Sequence, residues 1–489
     1  MTGGAAIRAE WLKFRTVRGW VIAVAAALAA IVGFGLAGGN QGTCNGGCGP
    51  LLGPGGEAVS DSFYFVHQPL AGNGTITVRV ASLASAVPAP RQGLHRAGVP
   101  WAKAGIIVKA SLREGSAYAA IMVTGSHGVR MQDDFTGDIP GPALPAGWLR
   151  LVRSGPVITG YASATGAAWT KVGTVTLPGL PATVQGGLMV ASPQYTQAAL
   201  GVTQITGELS QSTATFSHLA LSWPAAGWSG TYVGAPQGPA PGPATGYRQS
   251  GGTFTVTGAG DIAPLTYGPS GAGLMLTQTL GGVFIALIIL AVIGAMFVTA
   301  EYRRGLIRVT LAACPRRGRV LAAKACVIGL VAFAAGLAGT ALAVLFGQRE
   351  LRSHGVYLPP VTALAQARVI VGTAAVLAAC AVLALAIGAL LKRGTAAVAA
   401  VVTLIAMPYV LTVAIPVAPL GVASWLMRVT PAAAFAVQQT VIQYPQVDEV
   451  YSPAYGYFPL APWAGVAVLC GWAALALALA AIALRRRDA

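Results

Sequence analysis

A run of arginines lies between two long apolar segments of the chain, in the stretch EYRRGLIRVTLAACPRRGRVLAAK from Glu301 to Lys324. Charged side chains are costly in hydrocarbon, so this stretch must lie outside any bilayer that its neighbours cross. The positive-inside rule places it in the cytoplasm. A structured basic loop of this length offers a site where a cytoplasmic partner can push. Its basic residues are Arg303, Arg304, Arg308, Arg316, Arg317, Arg319 and Lys324.

Carboxylates are the other groups that could do chemistry, and they lie mainly between residues 40 and 272. Asp133, Asp134 and Asp138 form the one visible cluster, in a Gly/Pro-rich turn. Glycosidases need two carboxyl groups placed across one bond, and a turn of this kind favours a solvated loop or a calcium-like site over catalysis. The histidines are scattered without metal spacing. We therefore predict no catalytic residue and no metal site.

Composition indicates a membrane protein. The 489 residues are 55% hydrophobic and 9% charged, and the mean hydropathy is +0.65, whereas soluble domains carry about 25% charge. The net charge of +17 could suggest nucleic acid, but the arginines bracket apolar segments instead of covering one face, so no nucleic-acid partner is expected. The chain also lacks a G-x-x-x-x-G-K-[ST] loop, so it holds no nucleotide in a P-loop.

About six segments are long enough to span a bilayer as helices. Basic residues flank them mostly on one side, which predicts that both termini are cytoplasmic; Arg349, Arg352 and Arg368 are exceptions. No Asp or Glu lies between the ends of the spans, which counts against ion-coupled transport. The segments are Trp20–Gly38, Leu276–Val298, Ala325–Phe346, Val369–Leu391, Thr395–Val417 and Trp463–Leu484.

The N-terminal segment has two open interpretations. Ile7, Trp11 and Phe14 share one helical stripe, which predicts an amphipathic helix in the cytoplasmic interface; the alternative is a simple basic flank. The first span is longer than a signal-peptide core, so we expect an uncleaved anchor instead of a cleaved signal. Just beyond it, Cys44 and Cys48 could close a small disulfide loop in an oxidising exterior.

Short alternating runs replace helical periodicity after the first span. In GTITVRVASL from Gly74, Ile76, Val78 and Val80 share one face, as in a half-buried strand. Gly and Pro punctuate these runs at short intervals, which is typical of a sandwich or jelly roll. We therefore predict a multi-pass α-helical membrane protein with an inserted extracellular all-β sandwich. Residues 1–39 form the interfacial helix and first span, 40–272 the sandwich with its Pro/Gly-rich end, and 273–489 spans two to six.

Spans two to six, roughly half the chain, resemble the membrane subunit of ABC-2-type ABC exporters. The resemblance rests on a loop pattern E…G…L…P-R-R…K, and on ends, AEWLKFRTVRGW and LRRRDA, similar to those of actinobacterial members. Many members have Thr after the glycine, where this chain has Leu306. The pattern residues are Glu301, Gly305, Leu311, Pro315, Arg316, Arg317 and Lys324.

The resemblance implies a permease subunit in the bacterial plasma membrane, paired as a homodimer and driven by a separate ATPase that binds the ATP. The loop 301–324 would form the coupling helix. Its charged contacts would come from Glu301, Arg303, Arg304 and Arg308, and its apolar ridge from Ile307 and Leu311. The alternative is that these arginines only enforce topology. Residues 418–460 resemble paired half-helices that re-enter from outside, with a surface loop as the alternative.

The external region resembles concanavalin A-like, laminin-G-type sandwiches. KAGIIVKAS, WLRLVRSG, YAS and the sequence around Trp169 occur in that order. Related modules often have Asp-Gly before the tryptophan, where this chain has Thr165 and Gly166, so a sugar or metal contact through that Asp is not expected. This resemblance supports a second hypothesis for function, a membrane-tethered carbohydrate-binding or sensory protein.

Overall fold

The computed structural model describes residues 3–37, 49–89, 93–196, 207–224, 227–234, 245–266, 276–303, 305, 317–414, 420–449 and 451–486. Within these residues the chain divides into a helical part and an all-β part. The helices are α1 Gly3–Thr16, α2 Arg18–Ala37, α3 Val283–Arg303, α4 Arg317–Ser353, α5 Ala363–Leu391, α6 Gly394–Ala414, α7 Leu420–Val429 and α8 Pro462–Arg486, with 3₁₀ helices at Leu276–Leu280, Pro431–Gln438 and Pro453–Tyr455.

Six of the described helices, α2 to α6 and α8, are long and apolar enough to cross a membrane. Each contains most of one predicted span, so the prediction of about six spanning helices agrees with the structure. Helix α4 has 37 residues, which at 1.5 Å per residue makes it about 55 Å long and longer than the hydrocarbon core. Its first turns, with Lys324, and its last turns, with Arg352, therefore extend past the apolar middle.

The helix boundaries follow local chemistry. The Thr362 hydroxyl accepts a hydrogen bond from the Ala365 backbone and caps the start of α5, while Lys392 ends α5 in a left-handed conformation with its N–H bonded to the Gly388 carbonyl. Helix α6 follows at once from Gly394. The tight α5–α6 turn thus falls on the Lys-Arg pair that separates the two apolar segments.

The all-β part contains nineteen strands in the described residues, most of them in two antiparallel sheets. In chain order they are β1 Val59–Asp61, β2 Phe63–Ala71, β3 Gly74–Ala89, β4 Gly93–Arg96, β5 Lys103–Lys109, β6 Tyr118–Thr124, β7 Val129–Asp133, β8 Gly137–Pro140, β9 Gly147–Ser154, β10 Val157–Ser163, β11 Thr170–Thr176, β12 Thr183–Ala191, β13 Tyr195–Thr196, β14 Gly207–Glu208, β15 Gln211–Leu221, β16 Ser229–Val233, β17 Gly246–Ser250, β18 Thr253–Ala259 and β19 Ile262–Pro264.

One sheet has eight strands in the order β11-β10-β9-β3-β15-β18-β17, with β4 paired to β3. The other has seven strands in the order β16-β2-β12-β5-β6-β7-β8. Ile76 and Leu151 from the first sheet pack in one core with Ile106 and Ile121 from the second. The two sheets therefore form a sandwich, in agreement with the alternating pattern of the sequence.

The seven-stranded sheet is buried on both faces. Ile107 points away from the shared core and packs with Phe65, and with Val59 and Ile262 of the two-stranded ribbon β1–β19. This explains why every residue of β5, KAGIIVK, is buried. An apolar cover on the second face leaves the eight-stranded sheet as the one with an open outer face.

Two ion pairs from buried lysines fasten this ribbon, and the residue just before β19, to the sheet. Lys109 Nζ donates to Asp61 Oδ2 at 2.6 Å, and Lys103 Nζ donates to Asp261 Oδ1 at 2.6 Å. Burial raises the pKa of the Asp61 carboxyl, and the charge of Lys109 partly offsets that effect. Burial likewise lowers the pKa of Lys109, and the charge of Asp61 offsets part of this effect. Each partner therefore needs the other to stay charged at this site.

Candidate functional site

An ion-pair network joins α1 to the facing ends of α3 and α4. Lys324 Nζ, in α4, donates to Glu10 Oε2 and to Glu301 Oε1, each at 2.7 Å. Lys13 Nζ donates to Glu10 Oε1 at 2.9 Å and to Glu301 Oε1 at 3.0 Å. Each cation thus bridges both carboxylates, and the four side chains, called the Glu10–Lys324 network below, hold three helices together.

Burial makes this network more than a surface feature. Lys324 is 1% exposed and Glu10 is 3% exposed, and Lys324 Nζ lies 4.7 Å from the centre of the Phe297 ring. Lys13 lies at the rim. Burial alone would lower the pKa of Lys13, but its hydrogen bonds and charge interactions with Glu10 and Glu301 outweigh burial and raise that pKa. Lys13 therefore stays protonated at neutral pH.

Local sequence explains how α1 reaches this position. Glu10 and Lys13 are three residues apart and pair on one helix face. Phe14 is buried and meets Phe297 of α3 edge to face at 6.2 Å, while Trp11 stacks on Phe14. Ile7 and Trp11 are exposed. The predicted stripe is thus divided, with Phe14 facing the helices and Ile7 and Trp11 facing outward.

The residues at both ends of the predicted coupling loop make hydrogen bonds to other parts of this chain. Glu301 Oε1 accepts from both lysines, so this carboxylate points into the network. Arg317 Nη1 donates to the Leu484 carbonyl near the end of α8 at 2.7 Å. Arg303 is exposed, and Gly305 adopts a left-handed φ of 69° just after α3. Arg304, Ile307, Arg308, Leu311, Pro315 and Arg316 lie outside the described residues, as do Cys44 and Cys48.

Basic residues from separate segments meet at this end of the helical part. The Lys392 Nζ, from the α5–α6 turn, lies 5.4 Å from the Tyr302 ring centre near the end of α3. The Arg317 contact brings the start of α4 to the end of α8, and the Glu10–Lys324 network adds α1. A groove of about 670 Å³ opens beside the network, lined by apolar residues of α2 and α3 with Lys13, Glu301 and Arg303 at its charged end.

The opposite end of the helical part contains a buried 3₁₀ helix. In the 3₁₀ helix Pro431–Gln438, residues Pro431 to Val437 are all buried. Gly465 of α8 and Gly372 of α5 let it approach: a Cβ at Gly465 would lie 2.0 Å from the Ala433 carbonyl oxygen. Such close packing requires glycine at these positions. This segment lies inside 418–460, the stretch that the sequence suggested as re-entrant.

Three aromatic rings pack where this 3₁₀ helix meets α3 and α6. Phe284 lies 4.8 Å from Phe435 and 4.9 Å from Tyr409, and Tyr409 lies 5.2 Å from Phe435, centre to centre. Aromatic clusters of this kind bury large areas and resist rearrangement of a single ring. They hold α3, α6 and the 3₁₀ helix together at this end.

The sandwich contacts the helical part next to this segment. Gln446 is buried, and its Nε2 donates to the Phe135 carbonyl at 3.4 Å and the Thr136 carbonyl at 3.2 Å. On another loop, the Tyr357 hydroxyl donates to the Gly56 carbonyl at 3.2 Å. The loop that follows the buried 3₁₀ helix is therefore hydrogen-bonded to the turn between β7 and β8.

Of the acidic cluster of the sequence, Asp134 lies in that turn, and Asp133 and Asp138 flank it in β7 and β8. The carboxylates of Asp134 and Asp138 have structural partners. Asp134 has a left-handed φ of 39°. Its Oδ1 accepts a hydrogen bond from the Tyr118 N–H at 3.1 Å. Asp138 pairs with Arg130 and accepts from Gln132 at 3.0 Å. Across the residues that the structure describes, no three His, Cys, Asp or Glu side chains group to hold a metal ion.

Sequence reasoning missed the part of Glu10 and Lys13 in the network, although it named the pattern residues Glu301 and Lys324. A signal was present. Glu10 is an acidic residue in an otherwise basic N-terminal segment, and its lysine three residues later makes a helical ion pair. What the sequence did not contain was the long-range pairing with Lys324, since no local rule relates the first helix to the fourth.

Comparisons with known proteins give little further information. No protein-family model matches the chain, and no curated protein matches it. A functionally unknown protein from Saccharomyces cerevisiae is similar over 34% of this chain and 77% of its own, with 19% identity and a TM-score of 0.22. SCP-B, a member of the Eqolisin family of peptidases solved with the tripeptide Ala-Ile-His, is similar over 40% of this chain and 98% of its own, with 9% identity and a TM-score of 0.25. These similarities are too low to assign a fold or an activity.

Proposed function

We propose that this chain is the membrane-spanning permease subunit of an ABC-2-type ABC transporter, an exporter driven by a separate ATPase subunit. Both termini and the loop 301–324 are cytoplasmic, residues 40–272 are extracellular, and two copies pair around the transport path. Six apolar helices and the loop pattern of the sequence support this assignment. The basic flanks of separate helices meet at one end of the helical part, which is the charge asymmetry that the positive-inside rule requires of a cytoplasmic side.

The observation that carries the proposal is the Glu10–Lys324 network. Glu301 lies in the last turn of α3 and Lys324 in the first part of α4, and their side chains are bonded to each other. They bracket the predicted coupling segment. Because both sides of the segment are fixed to one buried ionic cluster, a push on the segment is passed to α1, α3 and α4 together instead of being absorbed by loose ends.

The energy source must lie in another subunit. The sequence has no P-loop, and its spans have no carboxylate between their ends to bind a coupling ion. ATP is therefore bound by the partner ATPase, and this chain needs no cofactor of its own. Closure of the ATPases moves the coupling segments, and the network conveys that movement to the helices that line the path.

The test is to separate docking from insertion. In the variant Arg304→Glu, Ile307→Asp, Arg308→Glu, Leu311→Asp, the predicted docking face loses both its charge and its apolar ridge. Arg303, Arg316, Arg317 and Arg319 remain to hold the topology. We expect normal membrane abundance, at least about tenfold less co-purification with the partner ATPase, and a matching loss of transport.

A matched control reverses charge at the other end of α4. Arg349→Glu with Arg352→Glu changes two basic residues of the same helix on the side proposed to be external. This control should co-purify with the ATPase as the wild type does. Full co-purification and transport by the quadruple variant would mean that the loop 301–324 is only a topological anchor, and the proposed coupling would then be wrong.

A further inference from the structure

The two sheets of the sandwich differ sharply in charge. The described strands of the eight-stranded sheet contain Arg and Lys but neither Asp nor Glu, whereas Asp133 and Asp138 lie in the seven-stranded sheet and Asp61 lies in the ribbon that covers it. An open sheet face with cations and without carboxylates attracts anions. The basic residues of the eight-stranded sheet are Arg79, Arg96, Arg150, Arg153, Lys171 and Arg248.

Strand register collects three of these cations in adjacent rows. Lys171, Tyr161, Arg150 and Thr77 pair across β11, β10, β9 and β3 in one row. In the next outward row, Trp148 of β9 pairs with Arg79 of β3. Strands in a sheet lie about 4.8 Å apart, so the row from Lys171 to Thr77 extends over about 14 Å. Arg79 and Lys171 are exposed, and Trp148, Arg150 and Tyr161 are half-buried.

Aromatic rings lie among these cations. The Arg150 guanidinium lies 3.9 Å from the centre of the Trp169 ring, and its Nε donates to the Thr77 hydroxyl at 3.1 Å. These contacts hold Arg150 in one orientation. Trp148 lies 5.3 Å from the His218 ring. We call the surface formed by Arg79, Trp148, Arg150, Tyr161, Trp169 and Lys171 the basic face.

We propose that the basic face binds a linear anionic polysaccharide, whose acidic groups pair with Arg79, Arg150 and Lys171 while its sugar rings lie against Trp148 and Tyr161. Arginine binds carboxylate and phosphate oxygens through paired N–H donors. Aromatic side chains offer an apolar surface to a ring that is otherwise polar. The proposal rests on the proposed function for the extracellular position of the sandwich.

A lipid surface fits this face less well. Proteins that insert into the interface expose large apolar side chains beside their cations. Within the described part of the sandwich, the large apolar side chains that are exposed are Leu52 and Leu112, and neither belongs to the eight-stranded sheet. Hydroxyl groups lie beside the cations instead: Thr77 is in the same row as Arg150, and Thr159 and Thr174 pair in the next row. A hydrated polyanion suits that mixture.

The experiment measures binding to the full-length protein in neutral detergent. Fluorescent oligogalacturonate and a neutral oligoglucoside serve as probes, and a glycerol-phosphate oligomer and oligothymidylate are polyanions without pyranose rings. We expect a charged oligomer to bind more tightly than the oligoglucoside, with an affinity that falls as salt rises. The galacturonate should also bind more tightly than the glycerol phosphate, because only the galacturonate has sugar rings that can lie against Trp148 and Tyr161.

Variants locate the site. Arg79→Ser and Lys171→Ser should each weaken binding about three- to tenfold, because each removes one exposed charge contact. Trp148→Ala should weaken it similarly with all charges intact. Arg113→Ser, which removes an exposed cation from the loop between β5 and β6, should bind as the wild type does. If Trp148→Ala unfolds, the two serine variants, which remove exposed side chains, still decide the matter.

Three results would overturn the proposal: equal binding of the neutral oligoglucoside, tighter binding of oligothymidylate or of the glycerol phosphate, or wild-type affinity in both serine variants. None of these depends on an ATPase. A chain that binds the glycan but does not couple to an ATPase would contradict the proposed transport function and leave this inference standing. A chain that couples to the ATPase but binds no glycan would contradict this inference and leave the proposed transport function standing.

Discussion

Lys324 and Glu10 lie 314 residues apart in sequence, yet the Lys324 Nζ is 2.7 Å from the Glu10 Oε2. The contact closes the helical part by joining its first helix to its fourth. Breaking a buried ion pair on one side leaves an unpaired charge, and that penalty exceeds what the pair itself contributes. Lys324 is therefore the residue whose replacement should be felt most strongly at this end.

The first prediction is that Lys324→Met destabilises the protein by about 3–5 kcal/mol, because Glu10 and Glu301 lose their buried cation. The fall should appear in the thermal unfolding midpoint of the purified protein. Arg349→Met, which removes an exposed cation from the same helix, is the control. Adding Glu10→Gln and Glu301→Gln to Lys324→Met should recover part of the loss. An unchanged midpoint in Lys324→Met would contradict the importance of the network.

The second prediction concerns the buried 3₁₀ helix. Gly465→Ala would place a Cβ 2.0 Å from the Ala433 carbonyl oxygen, so that the 3₁₀ helix must shift. Gly471→Ala in the same helix α8 meets nothing within 4 Å, and should stabilise by about 0.5–1 kcal/mol through helix propensity. We expect Gly465→Ala to lower the thermal unfolding midpoint and Gly471→Ala to raise it. Equal effects would show that Ala433 is not packed against Gly465.

The third prediction is a pH dependence of the sandwich. His67 Nδ1 donates to Gln185 Oε1 at 2.9 Å, and its Nε2 accepts from the Thr231 hydroxyl at 3.0 Å. Burial lowers the pKa of His67 below its ordinary value of 6.5, against the opposing effect of the Gln185 hydrogen bond. The unfolded chain then takes up a proton before the folded one does. Stability is fully present above pH 6.5 and falls as the pH drops below it.

The measurement for this third prediction is the difference in unfolding midpoint between pH 8 and pH 5, followed by tryptophan fluorescence. The difference should shrink in His67→Gln, which has no group that titrates in this range. Parallel pH curves for the two proteins would mean that His67 is equally easy to protonate in the folded and unfolded chains, and the prediction would be wrong.

The fourth prediction tests the proposed topology. Single cysteines at Ala164, an exposed position between β10 and β11, and at Arg303, exposed at the end of α3, are introduced into a cysteine-free chain. A membrane-impermeant maleimide should label position 164 from outside intact cells and position 303 only after permeabilisation. Labelling of 303 in intact cells would reverse the proposed orientation.

Patterned segments were the predictable part of this fold. Six apolar stretches of sufficient length became six helices, and the alternation of Ile76, Val78 and Val80 became the buried face of β3. Period and length suffice for such elements because burial of apolar area decides them. The continuous apolar run of β5 is typical of a strand buried on both faces, but nothing in that run identifies the β1–β19 ribbon as the second cover.

The candidate site was predictable only in part. Glu301 and Lys324 were named from a loop pattern, but the pattern suggested that Glu301 faces a partner, whereas its Oε1 is bonded within the chain. Contacts between residues that are hundreds of positions apart depend on how the helices pack. The hydrophobic periodicity of one segment does not show which other helix that segment will pack against. The aromatic trio of Phe284, Tyr409 and Phe435 escaped notice for the same reason.

The two hydrogen bonds from Gln446 give the sandwich a second property. They attach the β domain to the loop beside the buried 3₁₀ helix. A movement of that loop is therefore passed to the whole domain. When the domain tilts with that loop, the strands far from the loop move farther than the loop itself. A fluorophore on the outer sheet would therefore magnify, and make visible, a movement too small to detect among the helices themselves.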